Sequence, residues 1–324
     1  MAQIRGKSIP LYFGAQPDLK TVAPNGEYHS SFMYGLNPAG GQSLEDDPIL
    51  GGDRHNSRDA TAPAPGLANS NASLTLPSCM NHMGYALQMM FGNPAWAAVG
   101  GGSRRIYESG ADTLPARTIA YELADGDARR MIGFVGGAMT WTIGRNAGFG
   151  RITLEGAARK YAKVDDLDLG AVPDAFPLVR SPAYRGIFLV DGVASATLVS
   201  GTIKYDNQLD LVDLASDDEF VGDICPGDAK FTASITVRYQ TPFFADKAAD
   251  AFTEDGVFPV EFEWIAASGQ RFLLKAPRMR VAPTSEPISG PGGIEVTYEL
   301  MGEQGDAAML QAQLFNSIPE NGYF

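Results

Sequence analysis

The stretch Ser234-Ile235-Thr236-Val237-Arg238-Tyr239 alternates polar and apolar side chains with a period of two. A strand points successive side chains to opposite faces, so this pattern gives one buried face and one polar face. The same alternation recurs at Ser73-Leu74-Thr75-Leu76, Thr118-Ile119-Ala120-Tyr121-Glu122-Leu123, and Arg151-Ile152-Thr153-Leu154-Glu155. It returns at Thr202-Ile203-Lys204-Tyr205-Asp206, Val260-Glu261-Phe262-Glu263-Trp264, and Ile294-Glu295-Val296-Thr297-Tyr298-Glu299. With 37 Gly and 21 Pro in 324 residues, the chain is punctuated too often for long helices. Only residues 80–91 and 242–252 read as helices, with Pro242 suited to a first turn. The class is mainly β.

These elements recur in order. Ser73-Leu74-Thr75-Leu76 and the helix at 80–91 parallel Ser234-Ile235-Thr236-Val237 and the helix at 242–252. Ile119–Leu123 with its turn at Asp125-Gly126-Asp127 parallels Val260–Trp264 with its turn at Ser268-Gly269. Gly150 and Gly293 each lead into a last alternating strand. The order reads as a tandem duplication of one β-rich domain, with a Gly-, Ser- and Ala-rich insertion at 93–114 in the first half. The expected division is an arm at 1–29, a first domain at 30–160, a linker at 161–190, a second domain at 191–312 and a tail at 313–324.

Charge separates the halves. Residues 1–160 carry 14 basic and 13 acidic residues, and residues 161–324 carry 11 and 25, so the second half is net −14. The net charge of −13 argues against a chain built to hold nucleic acid, which needs a basic face. A hydrophobic fraction of 44% excludes disorder as the main description. Two cysteines, Cys79 and Cys225, are too few for a disulfide framework. The opening residues lack an apolar run of signal-peptide length, and residues 83–99 are too interrupted to span a bilayer. The expectation is assembly in the cytoplasm without a membrane.

A search for chemistry finds no catalytic, cofactor-binding or metal site. His82 falls in the first helix and reads as structural, and His29 lies in a plain polar stretch. His55, within Asp53-Arg54-His55-Asn56-Ser57-Arg58-Asp59, brings acids and imidazole together, but Arg54 and Arg58 would compete with a cation for the carboxylates. Gly100-Gly101-Gly102-Ser103 is not followed by Lys-Ser/Thr, so it is no phosphate-cradling loop. The paired acids Asp46-Asp47, Asp165-Asp166 and Asp217-Asp218 read as solvated turns, and Trp96, Trp141 and Trp264 as core or interface residues. What remains is a duplicated β-domain with long loops, the profile of a chain that binds copies of itself. The long polar loop at 45–66, with Asp46, Asp47, Asp53, Arg54, His55, Arg58 and Asp59, and the arm at 1–20 are expected to contact adjacent copies.

Ser200-Gly201-Thr202-Ile203-Lys204-Tyr205-Asp206-Asn207, Ile224-Cys225-Pro226-Gly227 and Ser234-Ile235-Thr236-Val237 with the following helix resemble tail tube proteins of long-tailed (siphovirus-type) bacteriophages, in a two-repeat form. Pro287-Ile288-Ser289-Gly290-Pro291-Gly292-Gly293-Ile294 is similar to that family's last hairpin, and Gly52-Asp53-Arg54 with Asp59 to the loop before its first core strand. The likeness spans most of residues 30–310 and departs at the insertion. It implies tandem β-sandwich or half-barrel domains, each with one packed helix, assembled into stacked rings around a channel. It implies a virion component that works with itself, with tape measure, tail terminator and distal tail proteins, and with DNA passing through unbound. Two copies per chain predict a trimeric ring of pseudo-sixfold shape, with near-neutral and acidic domains alternating. Glu261, Glu263, Glu295 and Glu299 are the expected lumen acids, since carboxylates repel DNA. The competing classes are another virion assembly protein (capsid decoration, baseplate or tail tip) and, further off, a carbohydrate-binding sandwich or an enzyme, which would need a clustered polar pocket.

Overall fold

The alternating segments become strands of one extended antiparallel network in the computed structural model, which describes residues 6–46, 62–100, 102–124, 126–145, 148–195, 197–214, 218–285 and 293–323. The first half contains β1 (Leu11–Ala15), β2 (Tyr28–Ser31), β3 (Gly35–Ala39), β4 (Gln42–Glu45), β5 (Ala64–Ala68), β6 (Ser70–Pro77) and helix α1 (Met83–Phe91). It continues through β7 (Ala95–Val99), β8 (Gly102–Glu108), β9 (Arg117–Ala124), β10 (Asp127–Gly144), β11 (Arg151–Ala158) and β12 (Lys160–Val164). The second half contains β13 (Gly186–Val190), β14 (Val193–Ala194), β15 (Leu198–Asp206), β16 (Asp210–Val212), β17 (Asp223–Cys225), β18 (Lys230–Arg238) and helix α2 (Phe243–Ala249). β19 (Phe258–Ile265), β20 (Arg271–Val281), β21 (Glu295–Gly302) and β22 (Gln311–Asn316) complete it. The chain is mainly β, with two α-helices among the described residues.

The pairings define the topology. In the first half the neighbours run β2, β1, β9, β10, β11, β6, β3. In the second they run β14, β13, β19, β20, β21, β18, β15. β12 and β22, each following the last strand of its series, pair with the N-terminal parts of β10 and β20. The halves join where the C-terminal half of β10 pairs with β15, from Ala138↔Asp206 to Gly144↔Ser200. The sheet curls until β13 nears the end of β10, where Trp264 Nε1 donates to Thr142 O (3.2 Å).

The inward side chains form one main core drawn from both halves, including Leu74, Met89, Trp141, Ile203, Phe262 and Leu314. All nine residues of α1 are buried, as expected of a helix apolar on every side. α1 lies close on β10 because Gly136 has no side chain; a Cβ there would sit 2.9 Å from Met89 O and from Met90 Sδ. α2 buries only Phe244 and Ala248.

Several segments differ from the sequence reading. The second helix is shorter than 242–252, with Pro242 as its N-cap and a turn past Asp250. The insertion at 93–114 carries a hairpin, β7 and β8, and β8 pairs with β22 across the two halves. Within the expected arm, β1 pairs with β9, and within the expected tail, β22 bridges β8 and β20. The loop at 45–66 begins and ends as a two-stranded ribbon, β4 on β5, despite Pro65.

The C-terminal segment is tied down by a buried cation. Arg105 is 1% exposed and donates to Ser103 Oγ (2.8 Å), Asn316 Oδ1 (3.1 Å) and Ile318 O (3.2 Å), with its guanidinium 4.6 Å from the Tyr323 ring centre. Asn316 Nδ2 donates to Met80 O (2.7 Å) and Tyr323 OH to Asn81 O (3.0 Å), which fixes the chain end to the start of α1.

Candidate assembly surfaces

The polar halves of the alternating strands combine into one surface. Paired residues in an antiparallel sheet share a face, so the registers trace a continuous row: Asn37↔Ser73, Ser73↔Glu155, Thr75↔Thr153, Thr153↔Thr140, Thr142↔Thr202, Thr202↔Ser234 and Thr236↔Thr297. Seven adjacent strands contribute, in the order β3, β6, β11, β10, β15, β18, β21. Hydroxyls dominate it, and the Thr236 and Thr297 hydroxyls bond to each other at 2.9 Å. Threonine suits the position because it is β-branched yet carries a group that water can solvate.

Charges on this face are few and mostly matched. Lys204 pairs with Asp206 (2.7 Å) and Arg238 with Glu295 (3.7 Å), while Ser234 Oγ donates to Glu299 Oε1 (2.6 Å). Two of the acids singled out in the sequence, Glu295 and Glu299, therefore stand on the hydroxyl face, both exposed. The other two, Glu261 and Glu263, lie on β19, beyond β20 and off the seven strands. Lys275 pairs with Glu261 at 2.8 Å and Arg271 with Glu263 at 3.2 Å. The structure does not bring the four acids into one cluster.

Asp46 is exposed just after β4, whereas Asp47, Asp53, Arg54, His55, Arg58 and Asp59 lie outside the described residues. The first-half arginines are dispersed. Arg129 pairs with Asp127, and Arg130 donates to Leu167 O. Arg151 covers the Tyr34 ring at 4.7 Å, and Arg145 is exposed. Arg159 reaches across to Asp218 of the acidic half.

His82 and Cys79 are both buried in the fold. His82 is 5% exposed; its Nε2 lies 2.7 Å from Phe176 O and its Nδ1 3.1 Å from Ser31 Oγ. The carbonyl can only accept, so Nε2 carries the proton and Nδ1 accepts from the serine. Burial holds the imidazole below its ordinary value, hence neutral. Burial likewise pushes the Cys79 thiol up, away from the thiolate a nucleophile needs. Among the described residues no group of three His, Cys, Asp or Glu could hold a metal ion. The hollow of about 820 Å³ where β13 nears β10 has, among the described residues, Arg145 as its one charged lining residue. Among the described residues no helix is long and apolar enough to cross a membrane. The sequence contained the hydroxyl face only as the polar half of each alternation; the order of strands that assembles it comes from the registers.

No curated protein matches the chain. The family model described as phage tail tube protein matches residues 6–302, nearly the whole length. A mainly antiparallel chain of this kind, matched from its first described residue to the end of β21, belongs to the phage tail tube protein family, whose members are structural components of the virion tail.

Proposed function

We propose that this chain is the major tail tube protein of its virion, closing as three two-unit molecules into a pseudo-sixfold ring, with rings stacked around a channel for DNA. The observation that carries the reading is the agreement of the two pairing series, strand for strand. The neighbours β2-β1-β9-β10-β11-β6-β3 answer to β14-β13-β19-β20-β21-β18-β15, each unit holds one helix between its sixth-strand equivalent and the next, and β12 answers to β22. Agreement of this extent supports a tandem duplication. Three such chains supply six similar units, and a contact that repeats by rotation closes a ring.

The seven-strand hydroxyl face is the surface best suited to line the channel. DNA carries about one negative charge per 1.7 Å of axis, so a wall rich in free cations would hold it. Here Lys204, Arg238 and Arg151 on the face are paired or covered, Lys230 reaches the Gln208 amide oxygen, and the hydroxyls keep water at the wall. The ribbon β4–β5 with its loop, and the segment before β1, reach adjacent rings in this reading. Copies of the chain are the main partners, with tape measure protein inside the tube and terminator and distal tail proteins at its ends. Mass measurement of isolated rings tests the proposal. A mass near three times 34.5 kDa is expected, and a stable monomer or a six-chain ring overturns it.

A further inference from the structure

We propose that the apolar face of the β4–β5 ribbon, formed by Leu44, Pro65 and Leu67, docks on Phe252 and Met301 of a second copy of this chain. The contact repeats between molecules what the β16–β17 ribbon does within one. It rests on the ring reading above and assigns a patch of the joint.

The two ribbons hold the same place in the chain order. β4–β5 stands between β3 and β6, and β16–β17 between β15 and β18, the counterparts of those strands. The second ribbon lies on the first unit. Its Ile224, with Val221 just before β17, clusters with Val135 of β10 and Ala157 of β11. The chain leading into it covers the end of α1: Tyr205 stacks on Phe91 at 4.5 Å, and Asn207 Nδ2 donates to Met90 O (3.0 Å) and Gly136 O (2.9 Å). Second-unit residues thus bury both Phe91 and Ala157 of the first unit.

The counterparts of those two residues in the second unit are bare. Matching Ser73-Leu74-Thr75-Leu76 to Ser234-Ile235-Thr236-Val237 sets the correspondence, and the spacing that takes Leu74 to Ile235 takes Phe91 to Phe252. Leu74 opposes Leu154 and Ile235 opposes Tyr298, so three residues further on Ala157 answers to Met301. Phe252 is 89% exposed and Met301 56%, where Phe91 and Ala157 are buried. Both line one largely apolar hollow of about 460 Å³ with Val281, Ala282 and Pro283. Phe252 lies past the shorter α2, and Arg280 Nη1 donates to Ala251 O (3.0 Å) and Thr253 O (2.6 Å), which holds its turn.

The first ribbon supplies the matching half. Leu44 opposes Pro65, and Leu67, two residues on, falls on the same face. The other face is polar: Ser43 Oγ donates to Glu45 Oε1 (2.8 Å), and a Cβ on Gly66 would overlap Ser43 Oγ. Leu44 and Leu67 are both exposed, so the ribbon carries its apolar face bare, as the hollow carries Phe252 and Met301. Each bare surface is the counterpart of one side of a contact buried within the molecule, and a second copy brings the two together. Charge favours the same choice. Residues 1–160 are nearly neutral and residues 161–324 are net −14, so a joint between unlike units keeps two acidic units apart. The polar face and the loop beyond Glu45 stay free for an adjacent ring.

The test places charge on each side in turn: Leu44→Asp with Leu67→Asp in one chain, Phe252→Asp with Met301→Asp in another. All four positions are exposed, so both chains should fold as the parent does by circular dichroism. Both should lose the ring peak in size-exclusion chromatography, because a carboxylate buried at the joint has no partner. Rings at parental yield from either chain overturn the docking and leave the ring reading standing. A parental chain that forms no ring overturns the ring reading itself. A second arm replaces Leu44 with the photocrosslinking residue benzoylphenylalanine in isolated, unstacked rings. Irradiation should join two chains through a peptide that contains Phe252 or Met301, identified by mass spectrometry. Interchain adducts confined to other peptides, or no interchain adduct in intact rings, refute the pairing.

Discussion

Gly84 stands where α1 meets the chain end, and the two can touch only because it lacks a side chain. A Cβ there would overlap the Tyr323 ring, which Asn81 and Asn316 hold in place. Gly84→Ala should therefore cost about 1–3 kcal/mol through overpacking, read from denaturant unfolding, despite the better helix propensity of alanine. A neutral or stabilising result would show that the tail gives way freely. His82 adds a pH dependence. Its folded-state value lies below the ordinary 6.5, so the unfolded chain takes up the proton first as pH falls. Its contribution is whole above 6.5 and is lost as the pH drops through the lowered value. His82→Gln should cost about 1 kcal/mol at neutral pH, the loss of a hydrogen bond, and should flatten the decline in melting temperature between neutral and acidic buffer. An unchanged slope would assign the decline to other groups, His29 first, whose value burial also lowers.

Among the elements, the ribbon β4–β5 separates folding from assembly. Glu45 opposes Ala64, so the ends of the intervening loop are already held together. Shortening a loop with fixed ends changes closure entropy little. Deleting residues 46–58 should leave folded, ring-competent protein that stacks poorly, and tubes of normal length in electron micrographs would exclude a stacking role. The strands were legible in proportion to their alternation. β6, β11, β18, β19 and β21 show a clear polar and apolar period. β10 does not, because Gly133, Gly136 and Gly137 read as breaks although Gly136 serves contact with α1. β7, Ala95–Val99, is exposed along its whole length, so no burial pattern marks it, and its stretch reads as an insertion. β22 lies beyond the alternating segments that recur in the sequence, and its place beside β8 and β20 comes from the registers. The four glutamates had identical sequence signatures; register alone puts Glu295 and Glu299 on the hydroxyl face and Glu261 and Glu263 on β19.

At the scale of the whole molecule, that division of the acids allows a test of which surface would line the proposed channel. If the seven-strand face lines the channel, replacing Glu295 and Glu299 with lysine adds cations where phosphates pass. Each new contact strengthens binding and makes it salt-dependent, because condensed counterions are released. Both positions are exposed, and the Arg238–Glu295 pair at 3.7 Å is a surface ion pair, so folding should lose about 1 kcal/mol or less. Virions carrying Glu295→Lys with Glu299→Lys should build tubes of normal length and eject DNA slowly, with the delay shrinking as salt is raised. Glu261→Lys with Glu263→Lys is the matched control. It makes the same charge change on β19, beside Lys275 and Arg271, and should leave ejection at the parental rate. Fluorescent-dye measurement of DNA release from both particles distinguishes the surfaces. Slow release from the β19 variant with normal release from the β21 variant would turn the wall around, and normal release from both in full-length tubes would remove these acids from the channel.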